Sequence, residues 1–262
     1  MRHSPTLLVA SLAALAALPG CAPRAMEAAE MDALAADAAA LHAAMSRVTD
    51  IMLDVVTSPP VASRTYAYAG IAAYEAVRHA RPGFRTLAGQ VNALEPVPAP
   101  APDEPMVAPL AGAIALLTVA EPLVFRGDRV VAYRDSVIAG FRDRGVPGPV
   151  VDRSVAYGTE VGRHVLAWAG TDGIKEARAM PRFEVRDEDR GRWRPTPPAY
   201  MDGLEPNWAT VRTFALRSAS EFRPPAPHPY DMREGSAFHD EVLAVYRAVE
   251  DATPEMVEIA KF

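Results

Sequence analysis

Along most of this chain apolar residues recur every three or four positions, the spacing of one helix face, and no strand-like alternation of useful length appears. Between Glu27 and Val56 the stripe is Leu34, Leu41, Met45, Val48, Met52 and Val55, which predicts one amphipathic helix or two in line. A second helix is predicted from Ser58 to about His79. Ser58 is placed to cap it, Pro59 tolerates the first helical position because its missing N–H would be unpaired there anyway, and Pro82-Gly83 closes it. Tyr66, Gly70, Ala73 and Val77 share one face of this helix, with Ala69, Ala72 and Ala76 beside them, so a neighbouring helix can pack close.

Five prolines between Pro96 and Pro105 make an extended spacer. Beyond it Leu110 to Val119 is apolar nearly all round, as a buried helix requires. Asp128 to Arg144 and Pro147 to Trp168 follow as amphipathic helices, ended by Gly145 and Gly170, and Gly158-x-x-x-Gly162 points to close helix packing. From 171 to 230 the periodicity fails and proline or glycine recurs every few residues. This predicts a long irregular strap holding a short helix near Trp208 to Leu216, with Trp193 and Trp208 anchoring it to a helical surface. Two last helices are expected, one over Ser236 to Glu250 and one from Pro254 onward, capped by Thr253. The fold class is therefore all-α.

Composition narrows the partners. Half of the 262 residues are hydrophobic, enough for one substantial core or two small ones, and a net charge of −6 gives no electrostatic footprint for nucleic acid. Only two of the 27 basic residues are lysine. The run Arg178, Arg182, Arg186, Arg190, Arg192, Arg194 is offset by Glu184, Asp187, Glu188 and Asp189, so it reads as a solvated face rather than an anion site.

The first residues look like an export signal. Arg2 and His3 precede an apolar stretch from Thr6 to Leu18, which is shorter than the ~20 residues that a bilayer span needs. Leu18-Pro19-Gly20-Cys21 then resembles the bacterial lipobox, which implies that Cys21 is lipidated and that the protein is exported, tethered to a membrane facing the periplasm or cell exterior. An ordinary cleaved signal with an incidental thiol is the alternative. Cys21 is the only cysteine, so no internal disulfide can form.

The residue types offer little catalytic chemistry. No histidine pair has HExxH or HxxxH spacing; Glu160 and His164, four apart on a helix, could share a metal, although a helical Glu–His contact is the commoner meaning. His239-Asp240-Glu241 suits a helix start. Tyr66, Tyr68 and Tyr74 read as packing residues. No phosphate-cradling glycine loop and no Gly-x-Ser-x-Gly elbow is present.

Two blocks carry a resemblance. Ser58-Pro59-Pro60-Val61-Ala62-Ser63-Arg64, running into Tyr66-Ala67-Tyr68 and Ala72-Ala73-Tyr74-Glu75-Ala76, is similar to the N-terminal helical region of bacterial vanadium-dependent haloperoxidase-like proteins, relatives of the type 2 phosphatidic acid phosphatases. Gly191-Arg192-Trp193-Arg194-Pro195 through Tyr200, Glu205-Pro206-Asn207-Trp208, Phe214-Ala215-Leu216-Arg217-Ser218 and Phe222-Arg223-Pro224 resemble the strap before that family's catalytic bundle. The resemblance implies a signal over 1–21, an N-terminal helical bundle over 22–170, the strap over 171–235 and the start of a second bundle over 236–262. It also implies an oxyanion pocket made of a lysine before an Arg-Pro, a Pro-Ser-Gly-His block, and a Ser-Arg pair followed by a histidine.

None of those pocket motifs occurs in this sequence. Arg81-Pro82, Arg194-Pro195 and Arg223-Pro224 have no lysine close before them, and neither Ser46-Arg47 nor Ser63-Arg64 has the following histidine. No catalytic, cofactor-binding or metal-binding residue can therefore be carried over. The expectation is a fragment of a haloperoxidase-like or acid phosphatase-like protein, inactive alone, whose full-length relative holds vanadate and whose partner is the absent catalytic bundle. A second copy of the chain is a further candidate partner. The alternative is a stand-alone helical lipoprotein serving as a binding or scaffolding module. A metal hydrolase around Glu160 and His164 stands third.

Overall fold

The computed structural model describes residues 26–102, 104–186, 188 and 190–261. Among them the chain is helical: α1 (Ala28–Ala36), α2 (Ala39–Asp54), α3 (Pro59–Val77), α4 (Ala108–Leu123), α5 (Gly127–Asp143), α6 (Gly148–Ala169), α7 (Ile174–Ala179), α8 (Ala237–Glu250) and α9 (Pro254–Lys261). Single 3-10 turns lie at Arg78–Ala80 and Trp208–Thr210. The one extended pairing among the described residues is an isolated bridge between Ala88 and Val91.

The bundle is built around α4. Every residue from Ala108 to Ala120 is buried, because α2, α3, α5 and α6 surround it. A helix apolar on all sides stays in water only if it is wrapped in this way. Its closest neighbours are α3 and α6, and small residues bring them in. A Cβ on Gly158 would stand 2.3 Å from the Ala111 carbonyl oxygen, and one on Gly162 would stand 2.7 Å from the Thr118 Cβ. The expected glycine face of α6 is therefore a backbone-to-backbone contact with α4.

On α3 the expected face packs, with one exception. Ala69, Ala72 and Ala76 are fully buried with Tyr68 and Glu75, and Tyr66 and Ala73 pack against the same core, whereas Gly70 faces open space. Gly112 of α4, not Gly70, makes the close approach here, with Val77 and Ala73 lying over it. Ser58 occupies the N-cap position of α3, but its side chain makes no capping bond. Pro59 and Pro60 lower the cost, because neither has an N–H to satisfy.

Beyond Ala169 the chain leaves the bundle. A short helix, α7, interrupts the expected irregular strap, started by Gly173 at φ +87° with the Asp172 carboxylate accepting from the Ile174 N–H (3.1 Å). Trp208 to Leu216 is a single 3-10 turn and extended chain rather than a helix. The Ser236 hydroxyl caps α8 by accepting from the His239 N–H (3.1 Å). Neither α8 nor α9 buries a residue, and Val245 (67% exposed), Val249 (70%) and Ile259 (68%) lie in water. Among the described residues nothing covers the apolar stripes of these two amphipathic helices. None of the helices among the described residues is long and apolar enough to cross a membrane.

Candidate functional site

The densest polar cluster lies where α6 ends against α3. Asp172 is buried just past the α6 C-terminus and takes the Arg64 Nε–H (2.6 Å) and the Tyr68 hydroxyl (3.0 Å). Arg64 also donates to the Ala169 carbonyl (3.1 Å). From the strap, Arg212 donates to the Trp168 carbonyl (2.9 Å), the Thr171 hydroxyl (2.8 Å) and the Tyr68 oxygen (3.1 Å), and lies 4.7 Å above the Trp168 ring. Two guanidinium groups thus meet one carboxylate and the negative end of α6, whose last carbonyls have no partner inside the helix. The charges are nearly balanced. Phe214 fills the space between Tyr68 (5.0 Å between ring centres) and Trp168 (5.7 Å), beside a mainly apolar cavity of about 470 Å³ that Trp208 and Val211 also line.

A second cluster ties the loop after α3 to the bundle. The Glu75 carboxylate is fully buried and accepts from Arg78 Nε (2.7 Å), the Thr86 hydroxyl (3.0 Å) and the Leu87 N–H (2.5 Å). Burial and the neighbouring Arg78 hold the His79 pKa below its usual value. Both clusters consist of ion pairs whose lone pairs are filled by further hydrogen bonds, the arrangement that makes a buried charge tolerable.

The proton affinities give a stability signature. Burial, and next to it the negative charge of Asp172, push the Tyr68 hydroxyl from 10.0 to about 12, and burial does the same to Tyr157. In each case the folded state holds the proton more tightly than the unfolded chain does. The contribution is complete below about pH 10 and is lost as pH rises through about 12. Thermal unfolding should accordingly be flat from pH 8 to 10 and then fall steeply, and Tyr68→Phe should shallow that alkaline fall.

An oxyanion does not fit among these groups. Placed against Arg64 it would sit beside the Asp172 carboxylate, and against Arg78 beside the Glu75 carboxylate, in surroundings where like charges repel strongly. Ser63-Arg64, one of the two Ser-Arg pairs in the sequence, is thus committed to a structural ion pair. His164 Nε2 lies 3.2 Å from the Glu95 carbonyl, and no group of three or more His, Cys, Asp or Glu suited to a metal is found among the described residues. His239 meets Asp240 at 3.4 Å, while Glu241 faces His228. Cys21 lies outside the described residues.

A solved crystal structure of a bacterial vanadium-dependent iodoperoxidase matches this chain with 40% identity and a TM-score of 0.76, covering 80% of the chain. The chain has a vanadium-haloperoxidase-like fold. It spans half of that protein's length. No protein-family model and no curated protein matches it.

Several residues of the haloperoxidase-like motif blocks gain physical roles. Arg64, Tyr68 and Glu75 from the first block are the hub of the two buried clusters, and Phe214 from the second is the wedge between Tyr68 and Trp168. Tyr66 and Tyr68 pack in the core, Tyr66 also donating to Thr49 (2.9 Å), while Tyr74 meets the exposed Phe84 and donates to the Arg85 carbonyl (2.8 Å). Trp193 departs from expectation. It is half exposed and packs on Phe183 inside the strap (5.6 Å), whereas Trp208, the other expected anchor, lines the cavity against Ser63, Arg64 and Ala67 of α3, and Phe214 reaches Tyr68 and Trp168. Asn92, Asp172 and Arg212 carried no sequence signal, since each is a single polar residue in irregular chain whose partners lie far away in sequence.

Proposed function

We propose that this chain is the helical scaffold half of an exported, lipid-anchored haloperoxidase-like or acid phosphatase-like protein, and that it catalyses neither reaction by itself. The observation that carries this reading is the 40% identity to an iodoperoxidase twice its matched length, in a sequence without a Pro-Ser-Gly-His block or a Ser-Arg pair with its histidine. The commitment of Arg64 and Arg78 to buried carboxylates supports it, because those cations are not available to an oxyanion. In this reading a second helical half supplies the pocket for vanadate or phosphate, where arginine and lysine stabilise the charge by short, charge-assisted hydrogen bonds. The bare apolar stripes of α8 and α9 are where that half rests. Export rests on the apolar stretch from Thr6 to Leu18, and anchoring on Cys21.

The purified chain, assayed with vanadate, peroxide and either iodide or bromide, should give no halide oxidation above the protein-free rate. Turnover above that rate overturns the proposal.

A stand-alone binding or scaffolding lipoprotein is the second reading, and the core around α4 favours it: every residue from Ala108 to Ala120 is buried by the described chain itself. Dye binding separates the two. The scaffold-half reading expects strong binding of a hydrophobic dye that is competed away by the second half, whereas the stand-alone reading expects neither.

A further inference from the structure

The strap is fastened to the bundle over six residues, Val211 to Leu216, from both sides. On one side the Arg212 N–H donates to the Asp172 carbonyl (2.8 Å) while its guanidinium reaches Tyr68, Trp168 and Thr171. On the other, the Asn92 N–H donates to the Phe214 carbonyl (2.7 Å), and its side-chain amide reaches the carbonyls of Thr213 (3.0 Å) and Leu216 (2.7 Å). Asn92 is itself fixed, because its carbonyl accepts the Trp168 indole N–H (3.0 Å). Phe214 lies between the two sides, against Tyr68 and Trp168.

Past Leu216 these tethers end. The hydrogen bonds and ion pairs of the described residues 217–261 run to one another: Arg217 to Glu221, Asp231 to Arg233, Ser236 to Asp231, His228 to Glu241 and Lys261 to Glu258. No residue of α8 or α9 is buried. The local interactions give this arm its own shape, but they do not hold it to the helices.

We propose that Val211–Leu216 is a latch, and that the arm carrying α8 and α9 is held or released as a unit according to whether Phe214 occupies the slot between Tyr68 and Trp168. The latch is a separate cooperative element for a physical reason. Its bonds lie at the end of α6 and on the loop at Asn92, and Phe214 is only partly buried at the edge of the core cluster that holds Tyr68 and Trp168, so it can withdraw while α2, α3, α5 and α6 still surround Ala108–Ala120. The hydrogen bonds of the latch share the aromatic slot: the Asn92 carbonyl takes the Trp168 N–H at the ring edge, Arg212 covers the face of the same ring, and withdrawing Phe214 leaves both without the packing that aligns them. The inference stands on this geometry and does not depend on the chain being half of an enzyme.

Native-state hydrogen exchange on the full chain tests it. Phe214→Ala removes the ring stacked on two aromatic partners, and should speed exchange at the Arg212 and Asn92 amides about tenfold or more while α4 and α6 amides keep their protection. Asn92→Ala, which leaves Phe214 in place, should release the same amides together. The proposal fails if either variant leaves the Arg212 amide as slow as in the parent chain. It fails equally if α4 and α6 lose protection in step, or if Phe214→Ala does not fold, since the segment would then belong to the core rather than latch onto it.

Discussion

Glu75→Ala is expected to cost about 3–5 kcal/mol of folding stability, because it removes one member of a buried ion pair and leaves the others in place. The Arg78 guanidinium, the Thr86 hydroxyl and the Leu87 N–H all lose their acceptor, and the first of these is a charge whose side chain is only 17% exposed. Coulomb attraction in a partly buried site makes the intact pair tolerable, whereas the lone cation gains nothing in exchange for its lost hydration. Glu75→Gln should cost less, since the amide oxygen can still accept from Leu87. Urea denaturation of the two variants beside the parent measures the difference. A loss for Glu75→Ala below about 1 kcal/mol, the range of an exposed pair, would show that the cluster is not dry.

Gly158→Ala should be the most damaging single-methyl change in the protein. Its Cβ would come 2.3 Å from the Ala111 carbonyl oxygen and 3.0 Å from the Ile114 Cβ, so the obstacle is largely backbone and cannot swing away. Helices α4 and α6 must part, which opens the packing of the central helix; overpacking of this sort costs about 3 kcal/mol, at the upper end of its usual range. Gly70→Ala is the opposite case. No atom lies within 4 Å of its Cβ and the position is helical, so the same substitution should stabilise by about 0.4–1 kcal/mol. Thermal melts of the pair should move in opposite directions; equal shifts would contradict the assigned packing of α3 and α6.

These two glycines differ in how much of their packing is written in the local sequence. The Gly158-x-x-x-Gly162 spacing announces a helix contact because two glycines four apart leave a groove that only another backbone fills. Gly70 sits among alanines with the same apparent meaning, yet nothing stands over it, while Ala69, Ala72 and Ala76 are buried and Ala73 and Val77 meet Gly112 of α4. Periodicity fixes that one face is buried, and a shift of one residue turns the face by about 100°. The face chosen depends on where Tyr68 and Glu75 find their partners: Asp172, about a hundred residues on, and the Thr86–Leu87 loop just beyond the end of α3.

The strap follows the same logic with a weaker signal. Its irregularity is written in its prolines and glycines, but the residues that tie it down, Asn92, Asp172, Arg212 and Phe214, have no periodicity to betray them. Trp193 draws attention by size and packs within the strap, whereas the smaller Phe214 reaches the bundle.

Local pattern alone thus determined the all-α class, the order and extent of the long helices, the buried character of α4 and the resemblance to haloperoxidases, since each depends on residues within a few turns of one another. Tertiary structure decided which face of α3 is buried, which arginines are occupied by carboxylates and where the strap is fastened. Apart from the local Glu75–Arg78 pair, those outcomes are set by contacts such as Arg64–Asp172, Tyr68–Asp172 and Asn92–Leu216, between segments about a hundred residues apart, and folding supplies that proximity where sequence spacing cannot.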